Sequence, residues 1–191
     1  LEPNVISCSS ALSACEKVEK WLQALGLLAG MHQCSMRSNI FAYSSAISAC
    51  GKGEEWIQAL LMLADMISKS IEPNVITHTS AISSRGIGQT WVQTCALLAR
   101  MVAAGFEPNT ITYSSTISTC ERDEDWVLAH ELLTEMRYRG LEPNVITCSA
   151  VIGCEQAHGW ARALAVLLHM CEKGPRPNVI SYSSGIRACE R

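Results

Sequence analysis

The sequence predicts an all-α fold, an α-solenoid of helix-turn-helix repeats, and three observations carry that prediction. First, Asn4-Val5-Ile6 returns as Asn39-Ile40-Phe41, Asn74-Val75-Ile76, Asn109-Thr110-Ile111, Asn144-Val145-Ile146 and Asn178-Val179-Ile180, on a period of 35 residues that shortens once to 34. Second, the five tryptophans (Trp21, Trp56, Trp91, Trp126, Trp160) keep that period, as do Met31, Met66, Met101, Met136 and Met170. Third, two apolar stripes of helical spacing lie between successive Asn markers, split by a charged or glycine-containing bend such as Lys17-Val18-Glu19 or Gly51-Lys52-Gly53. A period of this length marks stacked units that cannot bury their apolar face alone.

Counted from Val5, the array spans residues 1–191 as units 5–39, 40–74, 75–109, 110–144 and 145–178, with a partial unit 179–191. With both ends inside a unit, the chain is expected to be part of a longer protein whose capping repeats lie elsewhere. In each unit the first helix follows Pro-Asn or Ser-Asn, and the Asn is a good N-cap. The second helix is the clearest element. Trp21, Ala24, Leu25, Leu28 and Met31 fall on one face, and a Gly followed by a Pro ends it, as in Gly140-Leu141-Glu142-Pro143.

On the first helix, positions one, four, seven, eight and eleven cluster on one side at about 100° per residue. In the second unit these are Ile40, Tyr43, Ala46, Ile47 and Cys50. The periodic cysteines Cys15, Cys50, Cys120, Cys154 and Cys189 are therefore expected to be small buried packing residues. Positions two, five, nine and thirteen lie on the opposite side. They read Ile6, Ser9, Ser13, Lys17 in the first unit, Phe41, Ser44, Ser48, Lys52 in the second and Ile111, Ser114, Ser118, Arg122 in the fourth. An apolar blade, small hydroxyls and a cation suit flat bases strung on a phosphate chain. The alternative is a surface copied by repeat duplication.

Composition excludes other classes. The chain has 191 residues, 48% of them apolar and 17% charged, enough to bury a core and too apolar for disorder. No apolar run reaches the length of a bilayer span, and Leu1-Glu2-Pro3-Asn4 resembles neither a signal nor a transit peptide. The expectation is a soluble stretch without a membrane partner. A net charge of −3 argues against a generic polyanion binder. Ten cysteines without a CxxC pair point to neither a disulfide scaffold nor a zinc site, and so many thiols favour a reducing compartment. The histidines His32, His78, His130, His158 and His169 share no repeat position, and His130-Glu131 lacks the second His of a zinc-protease helix. Gly86-Ile87-Gly88 lacks the strand of a nucleotide loop, and Glu121-Arg122-Asp123-Glu124-Asp125 reads as a solvated bend. The expectation is no catalysis, no metal, no cofactor and no small-molecule substrate.

The pattern Val-Ile-Ser-Tyr-Ser-Ser…Ile…Ala-Cys-Glu, then Ala-Leu…Leu…Met, then Gly-Leu-Glu-Pro-Asn, resembles the pentatricopeptide repeat along essentially the whole chain. The resemblance implies a right-handed superhelix that binds single-stranded RNA one base per repeat, in a chloroplast or mitochondrion, for processing, stability, editing or translation of a transcript. Other RNA-processing proteins would be possible partners. It further implies that the fifth and last residues of a unit choose the base. The fifth are Ser9, Ser44, Thr79, Ser114 and Ser149, and the last are Asn39, Asn74, Asn109, Asn144 and Asn178. A small hydroxyl with Asn is the family's adenine pair, whereas Asp in the closing place favours guanine, so an A-rich target is implied. The sandwiching blades would be Ile6, Phe41, Ile76, Ile111, Ile146 and Ile180. Lys17, Lys52, Arg122 and Arg191 could contact phosphate or steady helix C-termini.

Three departures from the pattern are visible. The periodic Trp differs from the family consensus and reads as packing between hairpins. The third unit carries Arg85, Gly86, Ile87 and Gly88, so its first helix should end early. The fifth unit drops one residue between Ile152 and Cys154, which would turn the rest of that helix by about 100° unless it breaks or overwinds, and Gln156 replaces its cation. The competing reading is a protein-binding helical-repeat scaffold without base selectivity, and a third is the targeting segment of a larger nuclease.

Overall fold

The computed structural model describes residues 5–18, 20–34, 38–84, 90–154 and 159–189. Eleven helices alternate as predicted: α1 (Val5–Lys17), α2 (Trp21–Gln33), α3 (Ile40–Lys52), α4 (Trp56–Ser68), α5 (Val75–Ser83), α6 (Trp91–Ala103), α7 (Thr110–Asp123), α8 (Trp126–Tyr138), α9 (Val145–Cys154), α10 (Trp160–Lys173) and α11 (Val179–Cys189). No strand occurs among the described residues. The chain divides into two compact units, one of residues 1–89 with 99–107, the other of residues 90–98 with 108–191.

Both units are built alike. In the first, α1 packs on α2 and α3 on α4 as hairpins, while α1, α3 and α5 stack directly on one another. In the second, α7, α9 and α11 form the corresponding stack, with α8 and α10 as the second helices. The middle first helices α3 and α9 therefore have neighbours on both flanks as well as behind them. In α3 the residues Ala42, Tyr43, Ala46, Ile47, Ala49 and Cys50 are all fully buried. Five periodic methionines, Met31, Met66, Met101, Met136 and Met170, are buried where second helices meet the stack, each contributing about 2 kcal/mol by removal of apolar area from water.

A polar clamp ties α3 to α4. The Tyr43 hydroxyl donates to Asp65 Oδ2 at 2.5 Å, and Lys69 Nζ reaches the same oxygen at 2.9 Å. The same register in α7 and α8 holds Tyr113 beside Glu135, whose Oε1 accepts from Arg139 Nη2 at 2.8 Å. Burial and that neighbouring carboxylate push the Tyr113 phenol up to about 12. In α5 the slot is taken by His78, a packing residue as expected. It is buried, its Nδ1 lies 3.0 Å from Asn74 O, and its ring tilts against Phe106.

The departures resolve locally. α5 ends at Ser83, with Ser84 already extended, so the third first helix is indeed short; Arg85 to Gly88 lie outside the described residues. α9 stops at Cys154, after 10 residues where α3 has 13. Up to Cys154 the helix runs on through the defect, and Cys154 takes the buried place that Ala49 and Thr119 hold in α3 and α7; residues 155–158 lie outside the described ones. The Glu121 side chain leans over Gly153, where any Cβ would collide with it.

The cysteine expectation needs one correction. Cys50, Cys120 and Cys154 are buried, with burial raising the Cys50 and Cys120 thiols to about 11 and about 12, but Cys15 is half-buried and Cys189 exposed. These two lie on the outermost first helices, α1 and α11, which pack against a neighbouring first helix on one flank only. Ile40, counted on the same apolar arc, is 39% exposed because position one starts the helix at the edge of the stack. Two of the periodic tryptophans, Trp21 and Trp126, pack between hairpins, whereas Trp160 is 60% exposed. Trp21 lies so close over Gly53 that a side chain there would have no room, and Arg162 stacks on Trp126 at 3.9 Å from the ring centre. The acidic bend in the fourth unit is also structural. Asp125 Oδ1 caps α8 through Leu128 N at 3.1 Å, and Asp123 Oδ2 accepts from Trp91 N at 2.8 Å.

Two predictions concern stability. The second helices α4, α6 and α8 close with the residue after the C-cap in the left-handed region, where Gly105 and Gly140 have counterpart Ser70 at φ 58. Ser70→Gly relieves a backbone conformation that costs a side chain about 1 kcal/mol, and should raise the urea midpoint accordingly. Burial lowers the His78 pKa below 6.5, so the folded state holds fewer protons than the unfolded chain near that value. The resulting stability is present above pH 6.5 and lost as pH falls through it. His78→Phe should flatten the difference between urea midpoints taken at about pH 7.5 and about pH 5.5.

Candidate nucleic-acid interface

Each closing Asn lies at the start of a first helix, and its side chain does there what the sequence suggests. Asn39 Oδ1 accepts from Ala42 N at 2.9 Å, Asn74 Oδ1 from Thr77 N at 2.9 Å, and Asn109 Oδ1 from Thr112 N at 3.0 Å. Asn144 Oδ1 and Asn178 Oδ1 accept from Thr147 N at 2.9 Å and Ser181 N at 3.0 Å. A backbone N–H can be met only by the amide oxygen, so the orientation of all five amides is fixed by the helices they cap. The oxygen points into the helix and the NH₂ points away from it. These residues are exposed at Asn39 and Asn178 and half-buried at Asn74, Asn109 and Asn144.

Two residues beyond each Asn stands the predicted blade. Phe41, Ile76, Ile111, Ile146 and Ile180 are 53%, 60%, 59%, 60% and 63% exposed. Large apolar side chains held out of the core at one register of successive helices form a row of solvated ridges within each unit. The Ile6 side chain lies outside the described residues.

The fifth-position hydroxyls lie deeper than the helical wheel implied. Ser44 is half-buried, but Ser9, Thr79, Ser114 and Ser149 are buried. The reason is the stacking: position five faces the flank of the next first helix. Ser114 Oγ sits 2.6 Å from Thr147 Oγ1, and Ser149 Oγ 2.7 Å from Ser181 Oγ. Ser114 and Ser44 also donate to the carbonyls of Thr110 and Ile40, both at 2.7 Å. Thus the hydroxyls line the crevices between ridges. Their partners Thr147 and Ser181 stand at the third position, which sequence reasoning did not single out. The available signal was compositional: Ser7, Ala42, Thr77, Thr112, Thr147 and Ser181 are all small.

The cations divide. Lys17 and Arg122 are exposed, and Arg191 lies outside the described residues. Lys52 Nζ is 3.3 Å from Glu16 Oε1, an oxygen that also accepts from Ser48 Oγ at 2.9 Å. This pair is largely solvated and weak, so an incoming phosphate can displace it.

Residues 108–155 match the PPR repeat family, and residues 41–71 match the PPR repeat. No curated protein matches the chain in sequence. Among solved structures, the chain is similar to the pentatricopeptide repeat protein PPR10 in complex with an 18-nt psaJ RNA element, with a TM-score of 0.83 and 25% identity. That alignment covers 98% of this chain and 28% of PPR10. The PPR domain of Arabidopsis thaliana protein-only RNase P 1, in complex with tRNA, shares the fold with a TM-score of 0.80 at 15% identity, covering 95% of this chain and 96% of that one. Arabidopsis thaliana nuclear protein-only RNase P 2 does so with a TM-score of 0.79 at 15% identity, covering 94% and 41%.

The cap geometry makes a prediction independent of any ligand. Asn144→Ala leaves Thr147 N unpaired and should cost about 1 kcal/mol in urea unfolding, whereas Asn144→Asp keeps an accepting oxygen and should cost little.

Proposed function

Because the chain is a pentatricopeptide repeat protein, we propose that it binds single-stranded RNA one base per repeat, preferring an A-rich sequence. The observation that carries the reading is the fixed orientation of the closing Asn amides. With Oδ1 held by the helix cap, the group left to face a ligand is the NH₂ of Asn39, Asn74, Asn109, Asn144 and Asn178. An NH₂ donor suits N1 of adenine, which is an acceptor, and opposes N1–H of guanine, which is a donor. An Asp in the same place would cap with one carboxylate oxygen and offer the other as an acceptor, reversing the choice. The fifth-position hydroxyls Ser9, Ser44, Thr79, Ser114 and Ser149 take the neighbouring N6 amino group at the bottom of the crevice.

The exposed residues Phe41, Ile76, Ile111, Ile146 and Ile180 supply the faces between which bases lie, with Ile6 completing the row. Lys17, Lys52 and Arg122 meet phosphate, and Arg191 serves the partial unit. Three phosphate contacts across the complete units give a slope of log K against log salt of about −2. Affinity then rests mainly on stacking and base edges. The chain spans 28% of the length of PPR10, and the processing, stability, editing or translation that follows binding belongs to the proposal. A chloroplast or mitochondrion is the compartment the family implies, although one similar structure is of a nuclear protein.

The test is binding of the chain to short A, G, U and C oligoribonucleotides, beside a variant with Asn39, Asn74, Asn109, Asn144 and Asn178 all changed to Asp. The expected result is tightest binding to A by the native chain and a shift toward G in the variant. Base-blind binding by both forms would sink the reading and point to a protein-binding scaffold.

A further inference from the structure

In the second compact unit the two residues assigned to base choice are wired together through a third. The Asn144 oxygen receives two hydrogens, from Thr147 N at 2.9 Å and from Thr147 Oγ1 at 3.0 Å. Thr147 Oγ1 is at the same time 2.6 Å from Ser114 Oγ, the fifth-position hydroxyl of the preceding repeat, whose hydrogen also has the Thr110 carbonyl within reach at 2.7 Å. The next junction repeats the arrangement: Ser149 Oγ to Ser181 Oγ at 2.7 Å, then Ser181 Oγ to Asn178 Oδ1 at 3.1 Å. Each hydroxyl has one hydrogen. If Ser181 gives its hydrogen to Asn178, Ser149 must give its own to Ser181, which leaves Ser149 only lone pairs to turn toward a ligand.

One junction of the first unit lacks the link. The residue at the third position there is Ala42, fully buried. Asn39 Oδ1 has the single donor Ala42 N, and Ser9 Oγ is buried with no hydrogen-bond partner among the described residues. At the following junction Thr77 turns its hydroxyl to Asn74 O at 2.8 Å, and Ser44 gives its hydrogen to Ile40 O. At Ser9, by contrast, the hydroxyl hydrogen is uncommitted among the described residues.

We propose that the third residue of a repeat is a specificity-determining positioning residue. Its hydroxyl locks the preceding Asn amide with NH₂ outward and holds the hydrogen of the fifth-position hydroxyl inward. The inference rests on the RNA reading above and names a residue that touches no base: Thr147 and Ser181 have no solvent exposure. A hydroxyl committed inward can accept from the adenine N6 amino group and cannot donate to guanine O6, so the relay sharpens adenine over guanine. Ser9, uncommitted, serves either base once its rotor turns outward.

The test scans an oligoadenylate with a single G placed at successive positions and measures the ratio of Kd values, G over A, at each. It compares the native chain with Ser181→Ala, Ser181→Thr, Thr147→Val and Ala42→Ser, with helicity checked by circular dichroism. In the native chain the ratio should be lower at the nucleotide read by Ser9 and Asn39 than at those read by Ser114 with Asn144 and Ser149 with Asn178. Loss of one hydrogen bond sets the scale: Ser181→Ala should cut the ratio about fivefold at the Ser149 and Asn178 nucleotide alone, while Thr147→Val should change the Ser114 and Asn144 nucleotide less, because Ser114 still donates to Thr110 O. Ser181→Thr should retain it, and Ala42→Ser should raise the ratio at the Ser9 and Asn39 nucleotide. A variant that weakens A and G equally, or changes nothing while the native chain still selects A, overturns the relay and leaves the RNA reading standing. A native chain blind to base overturns both, and does so before any variant is measured.

Discussion

Everything in this array hangs on one hydrogen bond, the closing Asn oxygen accepting from the backbone N–H three residues on, repeated at 2.9 to 3.0 Å along the chain. It starts α3, α5, α7, α9 and α11 each at a fixed residue, and that start sets the angular position of every side chain that follows. Ridges at the second position, clamps at the fourth and crevice hydroxyls at the fifth inherit their direction from it. Because the oxygen is consumed in the cap, the same bond also decides which end of the amide is left over.

Stacking of first helices supplies the second constraint. A helix flanked on both sides can expose only a narrow strip, and in α3 even positions three, six and ten, Ala42, Ser45 and Ala49, are buried. Small residues at these flanks are what allows the helices to approach. The polar ones among them must find partners with each other, which is how hydroxyls of adjoining repeats come within 2.6 or 2.7 Å. Burial of polar groups and their mutual pairing are thus two sides of one packing requirement.

Much of this was legible in the sequence because a repeat displays the same environment several times over. The period alone located the helices, their Asn caps, the buried Met column and the packing role of Trp21 and Trp126. What the pattern hid was the third dimension of the stack. A helical wheel drawn for one helix assigns one buried side and one exposed side, and so placed Ser9, Ser114 and Ser149 on an open face, whereas the neighbouring helix covers them. The same omission left Thr147 and Ser181 unremarked, since a small residue at a flank has no signature until its partner across the junction is known. Nor could the sequence say how α9 absorbs its missing residue: the helix continues through the defect and puts Cys154 at a buried tenth position.

The helix cap has a consequence for how such an array could change over generations. Asn and Asp cap equally well, and their codons differ by a single first-position purine transition. On the proposed reading, one nucleotide change in the gene would respell one letter of the target while leaving the fold intact. Selection could then rewrite the recognised sequence repeat by repeat, through intermediates that all remain folded, so drift in a transcript can be followed by its binder without passing through an unstable ancestor.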